Sequence, residues 1–141
     1  MMTDVFTKAK RHEIMASIKA HDTKPEKAVR SIIHRMGFRF SLYRKDLPGK
    51  PDIVLPRHDK VVFVHGCFWH GHTNCRKSTI PATNTEFWTD KITKNKIRDM
   101  KVKRQLRQAG WQVLVVWECE ITRTETLIKK LKKFLEKETE R

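Results

Sequence analysis

Residues 48–65 read P-G-K-P-D-I-V-L-P-R-H-D-K-V-V-F-V-H. Two strands are written here, Asp52–Leu55 and Val61–His65, and the polar, proline-containing stretch between them reads as a turn. The second run is too apolar for an exposed strand, so the pair is expected to form a hairpin at the centre of a sheet. Asp52 then stands where the turn Leu47–Pro51 meets a central strand. A carboxylate placed there can face solvent at the end of the sheet and hold a hard cation such as magnesium; its plain reading is a turn or capping residue.

The flanking sequence supplies the rest of a domain. Upstream, T-K-P-E at Thr23–Glu26 has the form of a capping box with Pro25 in the first turn, and Val29, Ile32, Ile33 and Met36 follow at helical spacing before a stop at Gly37. Phe38–Tyr43 alternates apolar and polar residues as a further strand would. Downstream, Glu86–Gln108 is a long charged helix with a thin apolar stripe, Trp111–Trp117 a buried strand, and Leu127, Ile128, Leu131, Phe134 and Leu135 mark a Lys-rich closing helix. This order predicts a small mixed α/β sheet flanked by helices. One domain over residues 1–141 is expected, with a basic arm over 1–22 and a catalytic core over 23–141.

Charge narrows the partners. The 141 residues carry 31 Lys+Arg against 16 Asp+Glu, a formal net charge of +15 spread along the chain, which will attract a polyanion. Charge alone does not separate an enzyme from a small basic binder. No signal peptide, lipidation motif or long apolar run is written in the sequence, so a soluble, cytoplasmic protein with no membrane partner is expected. Three cysteines, an odd number, fit reduced thiols free to bind metal better than a disulfide scaffold.

Chemistry concentrates in V-H-G-C-F-W-H-G-H-T-N-C, Val64–Cys75. Cys67 and Cys75 bracket His72, and Cys119 follows the strand Trp111–Trp117, so Cys67, His72, Cys75 and Cys119 can form a closed Cys3His shell, a structural zinc site. An alternative shell uses His70 instead of His72. With His72 in the shell, His70 is free to take a proton from water near neutral pH. Phe68 and Trp69 are adjacent, so in an extended segment they cannot share one face, which argues against simple core packing.

Pro51-Asp52 followed by an apolar strand resembles the layout of metal-dependent nucleases with a restriction-endonuclease-like core, whose second strand carries an acid-x-Lys pattern. Here that stretch is Phe63, Val64, His65, so the second acid is missing and a histidine stands where lysine is expected. Four blocks in order, P-G-K-P-D-I-V at Pro48–Val54, V-F-V-H-G-C-F-W-H-G-H at Val62–His72, P-A-T-N-T-E-F-W at Pro81–Trp88 and G-W-Q-V-L-V-V-W-E-C at Gly110–Cys119, resemble the very-short-patch repair endonucleases. The resemblance implies a restriction-endonuclease-like (PD-(D/E)xK-type) fold with a structural zinc, and magnesium-dependent nicking of duplex DNA on the 5′ side of the thymine in a T:G mismatch left by deamination of 5-methylcytosine.

Carried onto this sequence, the resemblance makes Asp52 the magnesium ligand with the Val64 main-chain carbonyl, His70 the base, and His65 an assistant at the cleaved phosphate. Glu26 matches an acid that reaches the active site from the first helix, in competition with its capping role. Phe68, Trp69 and Trp88 match aromatics pushed between base pairs beside the mismatch, with Met15 approaching from the other groove; their plain reading is core packing. The expected protein is a monomer, nucleoid-associated when on DNA, with mismatch-repair proteins as candidate partners. Two further readings compete: a non-catalytic, zinc-stabilised nucleic-acid binder, and a nuclease without mismatch specificity. The sequence also departs from the resemblance: two residues separate His72 from Cys75, which asks the backbone to adjust around Cys75, and Gly71 replaces a frequent histidine.

Overall fold

The computed structural model describes residues 22–137. The basic arm, except for Asp22, and with it Met15, lies outside the described residues. Helix α1 (Lys24–Arg35) starts at Thr23, whose hydroxyl accepts the Glu26 N–H, and buries Val29 and Ile33. Only this half of the expected capping box forms: the Glu26 carboxylate accepts the N–H of Asp22 and not that of the N-cap residue. After α1, the expected strand Phe38–Tyr43 reduces to a single antiparallel bridge, Ser41 to Val54. Its apolar residues, Phe38, Phe40 and Leu42, pack on the core, but Tyr43 turns into the left-handed region at φ 60° and pairing ends.

β1 (Ile53–Leu55) and β2 (Lys60–His65) form the expected antiparallel hairpin, with Ile53 opposite Val62. The long helix α2 (Thr85–Gln108) then carries the chain across to β3 (Gln112–Trp117), which pairs parallel to β2 with His65 opposite Trp117. A parallel pair needs such a crossover. Among the described residues the sheet order is β1-β2-β3, so β2 is central and β1 lies at one side. β3 is less buried than its sequence suggests, because it is the other outer strand and only Val116 is fully enclosed.

Side-chain alternation sends Ile53, Leu55 and Val62 to one face, where they meet α1 and the closing helix α3 (Thr124–Glu136) through Val29, Ile33, Leu127, Leu131 and Leu135. Val54, Val61 and Phe63 face the other way and meet Leu106 of α2. The sheet is therefore covered on both faces, a mixed α/β arrangement of three strands and three helices among the described residues. Lys60 ties the layers together: although buried, its ammonium donates to the carbonyl of Leu135, at 2.9 Å, and to that of Lys137, satisfying the end of α3. Among the described residues no helix is long and apolar enough to cross a membrane.

Candidate active site and metal centre

Because His65 pairs with Trp117, Cys67 and Cys119 leave the sheet side by side, each two residues beyond the last pair. The turn after β2 returns His72 to them. Its Nδ1 lies 3.6 Å from Cys67 Sγ and 3.4 Å from Cys119 Sγ, and the ring stacks on Trp117 at 4.1 Å. The ligand atoms of Cys67, His72, Cys75 and Cys119 all fall within 4.8 Å of one another. A tetrahedral ion with bonds of about 2.3 Å to sulfur and about 2.0 Å to nitrogen separates the two donors by roughly 3.5 Å, so this group could hold a metal as it stands. Burial, reinforced by the neighbouring thiols, pushes the Cys67 thiol up to about 12, a cost that a bound cation would reverse. Cys75 reaches the group through a left-handed Asn74 (φ 56°), the adjustment that the two-residue spacing asks for, and Ser78 Oγ donates to the His72 and Cys75 carbonyls.

His70 points elsewhere, into a cavity of about 870 Å³ lined by Glu26, Asp52, Val64, His65, Phe68 and Trp69, among others. His72 therefore lies with the three thiols, and His70 lies with His65 and Asp99. Asp52, at the mouth of β1, accepts the Val64 N–H at 2.6 Å. Burial, and next to it the adjacent Glu26 carboxyl, raises its pKa to about 7 despite that hydrogen bond. Two carboxyls this close and this buried make a site that gains strongly from a cation.

His70 Nδ1 lies 2.7 Å from Asp99 Oδ2 on α2. Burial opposes the charge of Asp99, but the His70 hydrogen bond and nearby cations hold its pKa below the ordinary value, so it is an ionised acceptor and Nδ1 must carry the proton. Nε2 is left as the ring's basic nitrogen. His65 stacks face to face on His70 at 3.8 Å; burial, then the neighbouring His70, drives its pKa down to about 3. At neutral pH it can offer a hydrogen bond but no charge.

Phe68 and Trp69 line the same cavity, and Trp88 packs behind them. Phe68, Trp69 and Trp88 pack edge to face at 5.2–5.9 Å. The expectation that Phe68 and Trp69 diverge fails, because Cys67–Gly71 is a turn and not extended. Trp88 is only 7 % exposed, and its buried Nε1 has no hydrogen-bond partner among the described residues. Asn95 Nδ2 donates to the Trp69 carbonyl at 2.7 Å, fixing the turn that carries the rings.

The family model for the DNA mismatch endonuclease Vsr matches residues 3–77. The chain is 45% identical over 135 residues to the type II nicking enzyme V.XorIIP of Xanthomonas oryzae pv. oryzae, covering 96% of this chain and 98% of that one. It is 44% identical over 126 residues to the DNA mismatch endonuclease Vsr of Escherichia coli, covering 89% and 80% of the two chains. The chain belongs to the Vsr family. Membership implies the restriction-endonuclease-like fold, and the mixed sheet described above agrees with it.

Two residues of this Vsr-family site escape a reading of the sequence alone, Asp99 and Asn95. A signal for both exists in α2: Trp88, Ile92, Asn95, Asp99, Val102 and Leu106 recur at spacings of four and three, so an acid and an amide interrupt the inward-facing stripe. Gly71, at φ 62°, answers another question. A Cβ there would lie 2.6 Å from Ile92 Cγ2 and 2.3 Å from Lys96 Cε, so α2 approaches the loop too closely for a side chain at this position.

Proposed function

We propose that this Vsr-family protein, a strand-nicking DNA endonuclease, cuts duplex DNA on the 5′ side of the thymine in a T:G mismatch by magnesium-dependent hydrolysis with His70 as base. The observation that carries this reading is the meeting, in one cavity, of the Asp52–Glu26 carboxyl pair with the His70–Asp99 pair. Asp52 and the Val64 carbonyl would hold magnesium; in an extended strand that carbonyl lies on the same edge as the N–H that Asp52 accepts. When bound, magnesium supplies charge stabilisation at the cleaved phosphate. His70 Nε2 takes the proton from the attacking water as its oxygen bonds to phosphorus, and Asp99 steadies the imidazolium that results. His65, neutral, donates a hydrogen bond toward the phosphate.

Zinc is the ion best suited to the Cys3His group, where four protein ligands leave no place for substrate and the role is structural. Phe68, Trp69 and Trp88 would enter the base stack beside the mismatch, with Met15 of the arm on the opposite side. Opening a base step costs a few kcal/mol and each stacked ring returns roughly 1–3 kcal/mol, so the exchange favours a step already weakened by a wobble pair. The buried Trp88 has to shift outward for this, and its unpartnered Nε1 means that no hydrogen bond to the described residues is lost when it does. The protein is proposed to act as a monomer of one domain on nucleoid DNA. Nicking of T:G duplexes with randomised flanks, with and without magnesium, tests the reading and yields the flanking bases at the same time.

A further inference from the structure

We infer that Arg30 is a positioning residue for the metal site: with Asp22 and Tyr43 it fixes the Glu26 carboxylate so that one of its oxygens is left to face Asp52. The inference rests on the metal-dependent reading above. Arg30 lies one helical turn beyond Glu26, on the same face of α1. One arm of its guanidinium donates to Glu26 Oε2 at 3.1 Å, the other to Asp22 Oδ1 at 2.7 Å. The Asp22 N–H also donates to Glu26 Oε2, at 2.7 Å, and Tyr43 O–H donates to Asp22 Oδ1 at 2.5 Å.

Two donors therefore converge on Oε2, and the same carboxylate meets the carboxyl of Asp52. A carboxylate anchored in this way is held in a single orientation, the arrangement by which the outer partners of metal ligands work elsewhere. The inner half of the brace is enclosed, with Glu26 4% exposed and the Arg30 side chain 14%, while Asp22 and Tyr43 form its solvent-facing end. Asp22 and Tyr43 both adopt left-handed backbone, at φ 59° and 60°, conformations that non-glycine residues keep only when surrounding contacts hold them. Arg30 does not line the cavity, so it acts through Glu26 and not on the substrate.

Charge and positioning predict opposite outcomes when Arg30 is replaced. Removing a cation beside a metal site should by charge alone tighten metal binding, whereas releasing Glu26 should loosen it. The experiment is Mn2+ titration of the full chain by electron paramagnetic resonance, alongside magnesium-dependent nicking, for Arg30→Met, Arg30→Lys and Asp52→Asn. Arg30→Met is expected to weaken Mn2+ binding about tenfold or more and to lower kcat with little change in KM for the duplex. Arg30→Lys, which keeps the charge but not the two-armed bridge, is expected to recover only part of this. Unchanged or tighter binding in Arg30→Met, or full recovery in Arg30→Lys, overturns the inference. If Arg30→Met does not fold, Arg30→Lys decides alone. Loss of Mn2+ from Asp52→Asn beside wild-type binding in Arg30→Met rejects the brace and spares the proposed function; wild-type binding in both rejects the two together.

Discussion

Asp99 decides whether His70 can serve as a base. Its oxygen, 2.7 Å from Nδ1, favours the tautomer that leaves Nε2 open and, in the proposed reaction, would stabilise the charge that Nε2 acquires. Asp99→Asn is expected to lower kcat for nicking by about a hundredfold, the usual contribution of a positioned acid–base group, with little effect on duplex binding. Asp52 gives a pH prediction. Its folded pKa of about 7 lies above the unfolded value, so without metal this group's contribution to stability is lost as pH rises from about 4 through 7. Metal competes with that proton. Mn2+ affinity should therefore climb with pH up to about 7 and then level off, and calorimetry at pH 5.5, 6.5 and 8 checks it. At this scale the sequence was most legible where residue types are rare. Three cysteines and a histidine pointed to a group that the fold does bring together, whereas Asp99, one acid in a long charged helix, has its meaning only through a fold that brings α2 against the turn after β2.

At the scale of elements, helix and strand order followed from periodicity: α2 lies within a residue of its expected bounds, and α3 contains the apolar residues that marked the closing helix. What periodicity could not provide was pairing. The alternation of Phe38–Tyr43 serves core contacts with almost no ladder, and Trp111–Trp117 is apolar yet lies at the side of the sheet, because burial of a strand depends on its neighbours as well as its composition. The loop from Cys67 to Cys75 has little regular structure, and under the proposed zinc site it is expected to depend on the ion. Treatment with a zinc chelator, or Cys119→Ser, is expected to release one zinc per chain and to lower Tm by about 10 °C or more, without rescue by magnesium. Elemental analysis with a thermal melt tests this. Lys60 holds the other end: Lys60→Met leaves the carbonyls at the end of α3 without their donor and should cost about 1–3 kcal/mol in urea unfolding while leaving the cavity residues in place.

For the molecule as a whole, the proposed reading makes binding and recognition separable. The net charge of +15 supplies a salt-sensitive attraction to any duplex, while under the proposed reading the cluster of Phe68, Trp69 and Trp88 responds to how readily a base step opens. Trp69→Ala should accordingly slow nicking of a mismatched duplex far more than it weakens binding to paired DNA measured across a salt series. Equal losses would make the ring a packing residue. The most direct test of the account is the single-turnover nicking rate in magnesium on two duplexes that differ only in T:G against T:A. A step-opening difference of roughly 3 kcal/mol corresponds to about a hundredfold in rate, so nicking 5′ of the mismatched thymine should be faster by about that factor. Equal rates on the two duplexes would contradict it.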